Sequence, residues 1–252
     1  MKKDPLQKSL EVFGLHPIME AIRAGKEFDK IFMQKGLQGE LAMELRALLK
    51  EHNMVFKAVP IEKLNRLTRK NHQGVFAFIS PVNFYNLGDV LMDTYEKGKS
   101  PLFLMLDRIT DVRNFGAIAR TAECCGVDAI ILPKVGGAQL NSDAIKTSAG
   151  ALMNIPICRE QNLVHSLKYL KKSGLQIIAC TEQSETNLYE VPFTDPAVIV
   201  MGSEEDGISE EILDITDVKT RIPMFGKTES LNVSVASAVI LYEAIRQRQS
   251  EA

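Results

Sequence analysis

Apolar runs long enough to cross a membrane, about 18 residues or more, are missing from this sequence, and its opening MKKDPLQKSL carries no apolar stretch ahead of a small-residue cleavage site. Neither a membrane span nor a secretory leader is expected, and the expected location is the cytoplasm. Cysteine is scarce. The four present, Cys124, Cys125, Cys158 and Cys180, include one close pair, and that pair is adjacent instead of spaced C-x-x-C, which argues against a zinc site or a redox motif. The four histidines are scattered with no H-x-x-x-H spacing, so no metal is expected. No G-x-G-x-x-G follows an expected strand and no G-x-x-x-x-G-K-[ST] occurs. Their absence counts against a Rossmann-like small-molecule enzyme and leaves any nucleotide-like cofactor to be held by other loops.

What is present suits one large or two modest globular domains: 252 residues, 45% of them apolar. The net charge of −2 hides an asymmetry. Residues 1–80 hold 14 Lys and Arg against 9 Asp and Glu, a balance of +5, while residues 81–252 carry −7. The basic share includes Lys57, Lys63, Arg66, Arg69 and Lys70, which precede His72-Gln73-Gly74. This cluster reads either as a solvated helix face or as a phosphate-binding segment.

Apolar periodicity divides the chain. Residues 16–24, 40–51 and 61–68 are predicted helices and 30–33, 54–59 and 75–79 predicted strands, together a small α/β unit. Leu41, Leu45, Leu48 and Leu49 fall on one face of a 3.6-residue period. Residues 81–100, with Pro81, Asn83, Asn86, Gly88 and the breaker KGKSP, read as a connector containing a short amphipathic helix candidate. From residue 101 onward, the runs PLFLMLD, DAIILP, IPIC, LQIIAC and AVIVMG alternate with helical patterns at 117–125, 142–149, 163–172 and 230–249. That alternation predicts βαβ units and a mostly parallel sheet covered on both faces. The expected organisation is a domain over 1–80, a connector over 81–100 and a domain over 101–252.

Ligands of such sheets bind beyond the carboxyl ends of the strands, which points to the loops after Asp107, Pro133, Cys180 and Met201. In DRITDVRNFGAIARTA, Asn114 is a candidate helix N-cap and Gly116 permits close approach. Arg120 sits in a small apolar stretch and is expected either in a buried ion pair or in contact with an anion or substrate. The run VIVMGSEEDGIS reads by itself as an acidic turn before a helix capped by Ser209, and RIPMFGKTESLNVSVASA as a short strand, a Gly-Lys loop and a helix start.

Taken together and in order, NFGAIAR, GSEEDGIS and IPMFGKTESLNVSVA resemble the three motifs of the SpoU (TrmH-like) branch of the SPOUT RNA 2'-O-ribose methyltransferases. VFGLHPIMEAI and NHQGVFA resemble that family's substrate-binding domain, so the likeness spans nearly the whole chain. It implies an α/β fold: a SPOUT-type parallel sheet with a C-terminal trefoil knot, plus a small N-terminal α/β substrate-binding domain. S-adenosyl-L-methionine is then the expected cofactor, with Gly202, Ile222 and Leu231 as its contacts and Thr181 as a further candidate at a strand end. Arg120, Asn114, Glu204, Ser230 and Asn232 are the expected catalytic group. In the family the matching arginine has been proposed as the base, with the matching asparagine orienting it. A guanidinium, which gives up its proton only far above neutral pH, is easier to accept as a charge clamp.

The expected partners are RNA, held by Lys63, Arg66, Arg69, Lys70, His72 and Gln73, and a second copy of the chain in a homodimer. The two-domain layout is similar to members acting on a guanosine of large-subunit ribosomal RNA. A tRNA ribose methyltransferase and a non-catalytic RNA-binding module are the alternatives.

Overall fold

The computed structural model describes residues 11–80 and 82–250. The opening decapeptide, on which the expected absence of a leader rests, lies outside the described residues. Contacts divide the chain into two compact units, Met1–Asn83 with Leu140–Ser142, and Phe84–Gln139 with Asp143–Ala252.

In the first unit the chain runs β1 (Glu11–Phe13), α1 (Leu15–Arg23), β2 (Phe28–Gln34), α2 (Glu40–Glu51), β3 (Lys57–Val59), α3 (Ile61–Leu67) and β4 (Val75–Ile79). The sheet order is β1-β4-β2-β3, antiparallel except between β2 and β3. Strand alternation sorts its side chains. Ile31, Met33, Val75 and Ala77 meet Ile18, Met19 and Ile22 of α1 and Leu45 and Leu49 of α2, while Phe32 and Phe76 turn the other way, toward Val59 and Leu64 of α3. The leucine spacing of α2 thus served one core. Only β1, too short to show alternation, was missing from the expected elements.

The second unit begins with α4 (Leu87–Glu96), whose N-cap Asn86 accepts hydrogen bonds from the Gly88 and Asp89 amides. Leu87, Val90 and Leu91 enter the core, so this part of the expected connector packs as a structural helix. There follow β5 (Leu102–Leu106), α5 (Val112–Cys124), β6 (Ala129–Pro133), α6 (Ser142–Thr147), β7 (Ile157–Glu160), α7 (Leu163–Lys172), β8 (Gln176–Cys180), β9 (Ala197–Met201), α8 (Glu210–Leu213), β10 (Val218–Thr220) and α9 (Val233–Ser250). All strand pairs in the six-stranded order β10-β8-β9-β5-β6-β7 are parallel. Phe103, Met105, Ile131, Ile177, Val198 and Val200 face α4, α7 and α8. Leu102, Leu104, Leu106, Ile130, Ile178 and Ile199, in the alternate positions, are equally buried. Both faces are therefore covered, which is why these strands read as unbroken apolar runs.

Arg248, in the last turn of α9, fastens that helix to the amino end of the sheet. Its guanidinium donates to the carbonyls of Phe193 (2.8 Å), Ser100 (2.7 Å), Pro101 (3.1 Å) and Asp195 (2.7 Å). Burial pulls its pKa below the usual arginine value, against the opposing influence of Asp128 and Asp195. Arg248→Met keeps much of the stem but leaves four carbonyls without this donor. Chemical unfolding of the second unit should register a loss of about 3 kcal/mol, most of it from stranded acceptors.

Candidate active site

The strands β5, β9, β8 and β10 end level: Leu106 pairs with Met201, Met201 with Cys180, and Cys180 with Thr220. The loops that leave them, starting at Asp107, Gly202, Thr181 and Arg221, therefore emerge side by side. The chain moves from β5 outward to β6 and β7, then returns on the other side through β8 and β9. Such a reversal is where ligands of open parallel sheets are expected to bind, here beside the carboxyl ends of β5 and β9.

At the start of α5 the N-cap is Asp111, whose side chain accepts from the amides of Arg113 and Asn114, both at 2.8 Å. Asn114 was the expected cap. Its place inside the first turn, with Asp111 already satisfying the free amides, releases its side chain for other work. Asn114 Nδ2 donates to Glu204 Oε1 (3.3 Å), and Asn232 Nδ2 donates to both Asn114 Oδ1 (3.1 Å) and Glu204 Oε1. The Val233 amide, at the first position of α9, gives Glu204 Oε1 a third hydrogen bond, at 3.1 Å. A carboxylate oxygen thus lies against the positive end of an 18-residue helix. Asn232 completes the cap, its Oδ1 accepting from the Ser234 amide at 3.0 Å.

The turn that carries Glu204 is tight. Ser203 and Gly207 exchange backbone hydrogen bonds of 3.1 and 3.0 Å, and a Cβ on Gly202 would fall 2.1 Å from the Gly207 carbonyl carbon. Gly116 serves a second close approach: a Cβ there would come within 2.7 Å of Thr147 Cβ on α6. Ser209 is the residue before α8, but its side chain makes no capping bond; its amide instead donates to the buried Asp107 carboxylate at 2.8 Å.

Arg120 and Ser230 make no hydrogen bond to the cluster among the described residues. Arg120 is exposed and has neither hydrogen bond nor ion pair among the described residues, which removes the buried-ion-pair reading. Six positions after Asn114, it lies about 9 Å further along α5 and roughly 120° round it, and Asn114 spends its bonds on Glu204 and Asn232. Arg113, Ala117 and Arg120 share the outward face instead. Ser230 is exposed within the segment 222–231, none of whose residues hydrogen-bonds to another described residue. Gly202 is buried at the end of β9, while Thr181, Ile222 and Leu231 are half-buried. The Thr181 amide is held by the Thr220 carbonyl at 2.8 Å.

In the first unit Lys63, Arg66, Arg69 and Lys70 are exposed. Two of them arch over aromatic rings, Lys63 Nζ 5.1 Å from the centre of Phe32 and Lys70 Nζ 5.5 Å from that of Phe13. His72 and Gln73 turn to structural work. His72 is buried; its Nδ1 accepts from the Gly74 amide (3.0 Å), which leaves Nε2 to donate to Asn65 Oδ1 (2.8 Å). With both ring nitrogens committed, His72 has no donor to offer RNA. Gln73 Oε1 accepts from the Leu15 amide (3.1 Å) at the start of α1.

Three of the thiols are inert by environment. Burial raises Cys125 to about 11 and Cys158 and Cys180 to about 12, so at pH 8 each holds about one part in a thousand or less of reactive thiolate. Cys124 is exposed. Titration of the folded protein with a chromogenic disulfide at pH 8 should release one equivalent quickly, with all four cysteines reacting only after denaturation.

Residues 101–242 match the SpoU rRNA Methylase family, and residues 12–85 match the family of RNA 2'-O ribose methyltransferase substrate-binding domains. A Staphylococcus haemolyticus protein assigned to the TrmH family of tRNA/rRNA methyltransferases is 32% identical over 241 residues, 96% of this chain and 97% of its own. The SpoU methyltransferase AviRb from Streptomyces viridochromogenes, solved in complex with AdoMet, shares the fold with a TM-score of 0.61 at 24% identity, over 95% of this chain and 90% of that one. The A. aeolicus TrmH/SpoU tRNA modifying enzyme has a TM-score of 0.56 and 38% identity, covering 61% of this chain and 78% of its own. Parallel sheet, motif loops and both matched regions define an RNA methyltransferase with an appended substrate-binding unit. The chain belongs to the SpoU rRNA Methylase family.

Proposed function

We propose that this enzyme transfers a methyl group from S-adenosylmethionine to a ribose 2'-oxygen in ribosomal RNA, a guanosine of the large-subunit RNA being the favoured target. The observation that carries the reading is the meeting of Asn114, Glu204 and Asn232, one from each motif, at a single carboxylate oxygen on the carboxyl edge of the sheet. The donor set suits the cofactor. The peptide groups of 222–231 are uncommitted among the described residues and can pair with an adenine edge and a ribose, between the half-buried side chains of Ile222 and Leu231. Gly202 and Thr181 begin the neighbouring loops. The trefoil knot expected of this fold would hold these segments together, and the sheet order is compatible with it.

When bound, the cofactor supplies an electrophilic methyl on a sulfonium. The chain must orient a poor nucleophile and exclude water. Arg120, without a hydrogen-bond or ion-pair partner among the described residues, clamps the phosphate beside the target ribose. Glu204, Asn114 and Asn232 form a fixed polar wall, with Ser230 added from the motif-three segment, and the hydroxyl proton leaves to a phosphate oxygen or water. Lys63, Arg66, Arg69 and Lys70 give residues 1–80 a phosphate-binding face, and residues 101–252 carry the transfer. A homodimer is supported by the apolar stripe on α9, where Val235 and Tyr242 are 48% and 58% exposed with Val239 between them. The working location is the cytoplasm.

A tRNA substrate is the second reading, favoured by the 38% identity to the A. aeolicus tRNA modifying enzyme. That likeness covers 61% of this chain, whereas the separate match at residues 12–85 favours a larger folded RNA. The test uses radiolabelled S-adenosylmethionine with separate pools of unmodified ribosomal RNA and tRNA. Ribose-located label in the ribosomal pool is the expected result; label in tRNA alone would select the second reading. Cofactor-binding calorimetry with no heat and no label in either pool would leave an RNA-binding module.

A further inference from the structure

Arg108 follows β5 directly and adopts a left-handed conformation, φ 58°. A non-glycine residue is uncommon there, and such a position calls for a structural or functional reason. The arginine reaches across to the turn that carries Glu204. Its Nη2 donates to the Gly207 carbonyl at 3.1 Å, its Nη1 lies 3.6 Å from Asp206 Oδ2, and its Nε lies 3.5 Å from Asp107 Oδ2. Nε is itself buried without a hydrogen bond. Four carboxylates gather here, Asp107, Glu204, Glu205 and Asp206, and Arg108 is the cation that forms ion pairs with two of them.

The geometry points to Arg108 as a positioning residue for methyl transfer. It holds the turn 203–207 closed and offsets the mutual repulsion of its acids, so that Glu204 Oε1 stays on Asn114, Asn232 and the Val233 amide. It acts through Glu204, and the inference rests on the methyltransferase reading above. Gly202 and Gly207 explain how the base of the turn can be narrow. They do not explain why its far side, with exposed acids at three successive positions, stays closed; there the Asp206 amide donates to Ser203 Oγ at 3.0 Å. Arg108 is a second tie on that side, from outside the turn, and the sequence hides it because it stands 99 positions from the carbonyl it binds.

The test compares full-length wild type with Arg108→Gly and Arg108→Lys. Glycine accepts the same backbone conformation and removes only the tie, so its thermal midpoint should stay within about 3 °C of wild type. With in vitro transcribed, unmethylated ribosomal RNA, kcat should fall about thirtyfold or more in Arg108→Gly while the KM for RNA stays within about twofold. Lysine, able to pair with one acceptor at a time, should recover most of kcat. Hydrogen exchange at the Ser203 and Gly207 amides should quicken about tenfold in the glycine variant.

Unchanged kcat in a stable Arg108→Gly protein overturns the proposal. So does a loss confined to KM, which would make Arg108 an RNA contact, or a parallel collapse of activity and thermal midpoint in both variants, which would make it a fold strut. Should wild type transfer no methyl group to any RNA offered, the methyltransferase reading fails by itself. The exchange measurement then decides alone: faster exchange sustains the tie, and unchanged exchange removes it.

Discussion

Arg120→Ala should melt within about 1 °C of wild type and yet transfer methyl groups at less than about one-hundredth of its rate. Stability is unaffected because the side chain is exposed on α5 and pairs with nothing among the described residues; alanine is also the better helix former. Activity falls because a fixed cation beside developing charge is worth about a hundredfold to a thousandfold when removed. Separating the two readouts gives the experiment its value, since a residue important only for folding would lose both. Arg120→Lys distinguishes the chemical roles. An ammonium keeps the charge but loses the planar fork, so a phosphate clamp should retain partial activity with a raised KM for RNA. Lys97→Ala is the control: Lys97 pairs with Asp93 on an exposed turn of α4, and its loss should change neither melting nor transfer.

For Gly202→Ala the largest change falls on cofactor binding. The added methyl would fall on the Gly207–Ile208 peptide, at 2.1 Å from the Gly207 carbonyl carbon and 2.3 Å from both the Gly207 oxygen and the Ile208 nitrogen. No side-chain rotation can relieve a clash with peptide atoms, so the turn must open. The destabilisation should exceed about 3 kcal/mol. Opening the turn also carries Glu204 away from the start of α9 and shifts the end of β9 where the cofactor is proposed to sit. Calorimetry with S-adenosylmethionine should show binding weakened at least about a hundredfold, a change of about 2.7 kcal/mol. Gly207→Ala makes the useful contrast. Nothing lies within 4 Å of a Cβ there, so only the positive φ of 65° is penalised, and a loss of about 1 kcal/mol is expected. Near-equal effects of the two substitutions would show that backbone strain, not the close approach at Gly202, governs this turn.

Much of the molecule was legible before its structure. The leucines of α2, the apolar runs of β5, β6, β8 and β9, and the helical spacing of α7 are local patterns, and burial imposes its period directly on neighbouring residues. β10 and α8, three and four residues long, are too short to display a period. The helix inside the expected connector was visible as an amphipathic candidate, but its burial was not, because the face it covers belongs to strands far along the chain.

Individual side chains fared differently. Asn114 was expected to cap α5, and Asp111 does so; both residue types suit the position, and the choice depends on which loop geometry the following strands impose. His72 and Gln73 look like RNA contacts when set beside four nearby cations, but the sharp turn at Gln73, φ 50°, directs them into α1 and α3.

By itself the sequence determined the class of fold, the order of its longer elements, the strand ends worth searching and, through three motifs, the family to which the chain belongs, because these depend on periodicity and on residues within a few positions of one another. Only the tertiary structure decided which atoms meet. Glu204 reaches Asn114 across 90 positions and Asn232 across 28, and Arg108 reaches Gly207 across 99. Those distances close because the register of four parallel strands brings Leu106, Met201, Cys180 and Thr220 level, and register is a property of packed strands that no local pattern records.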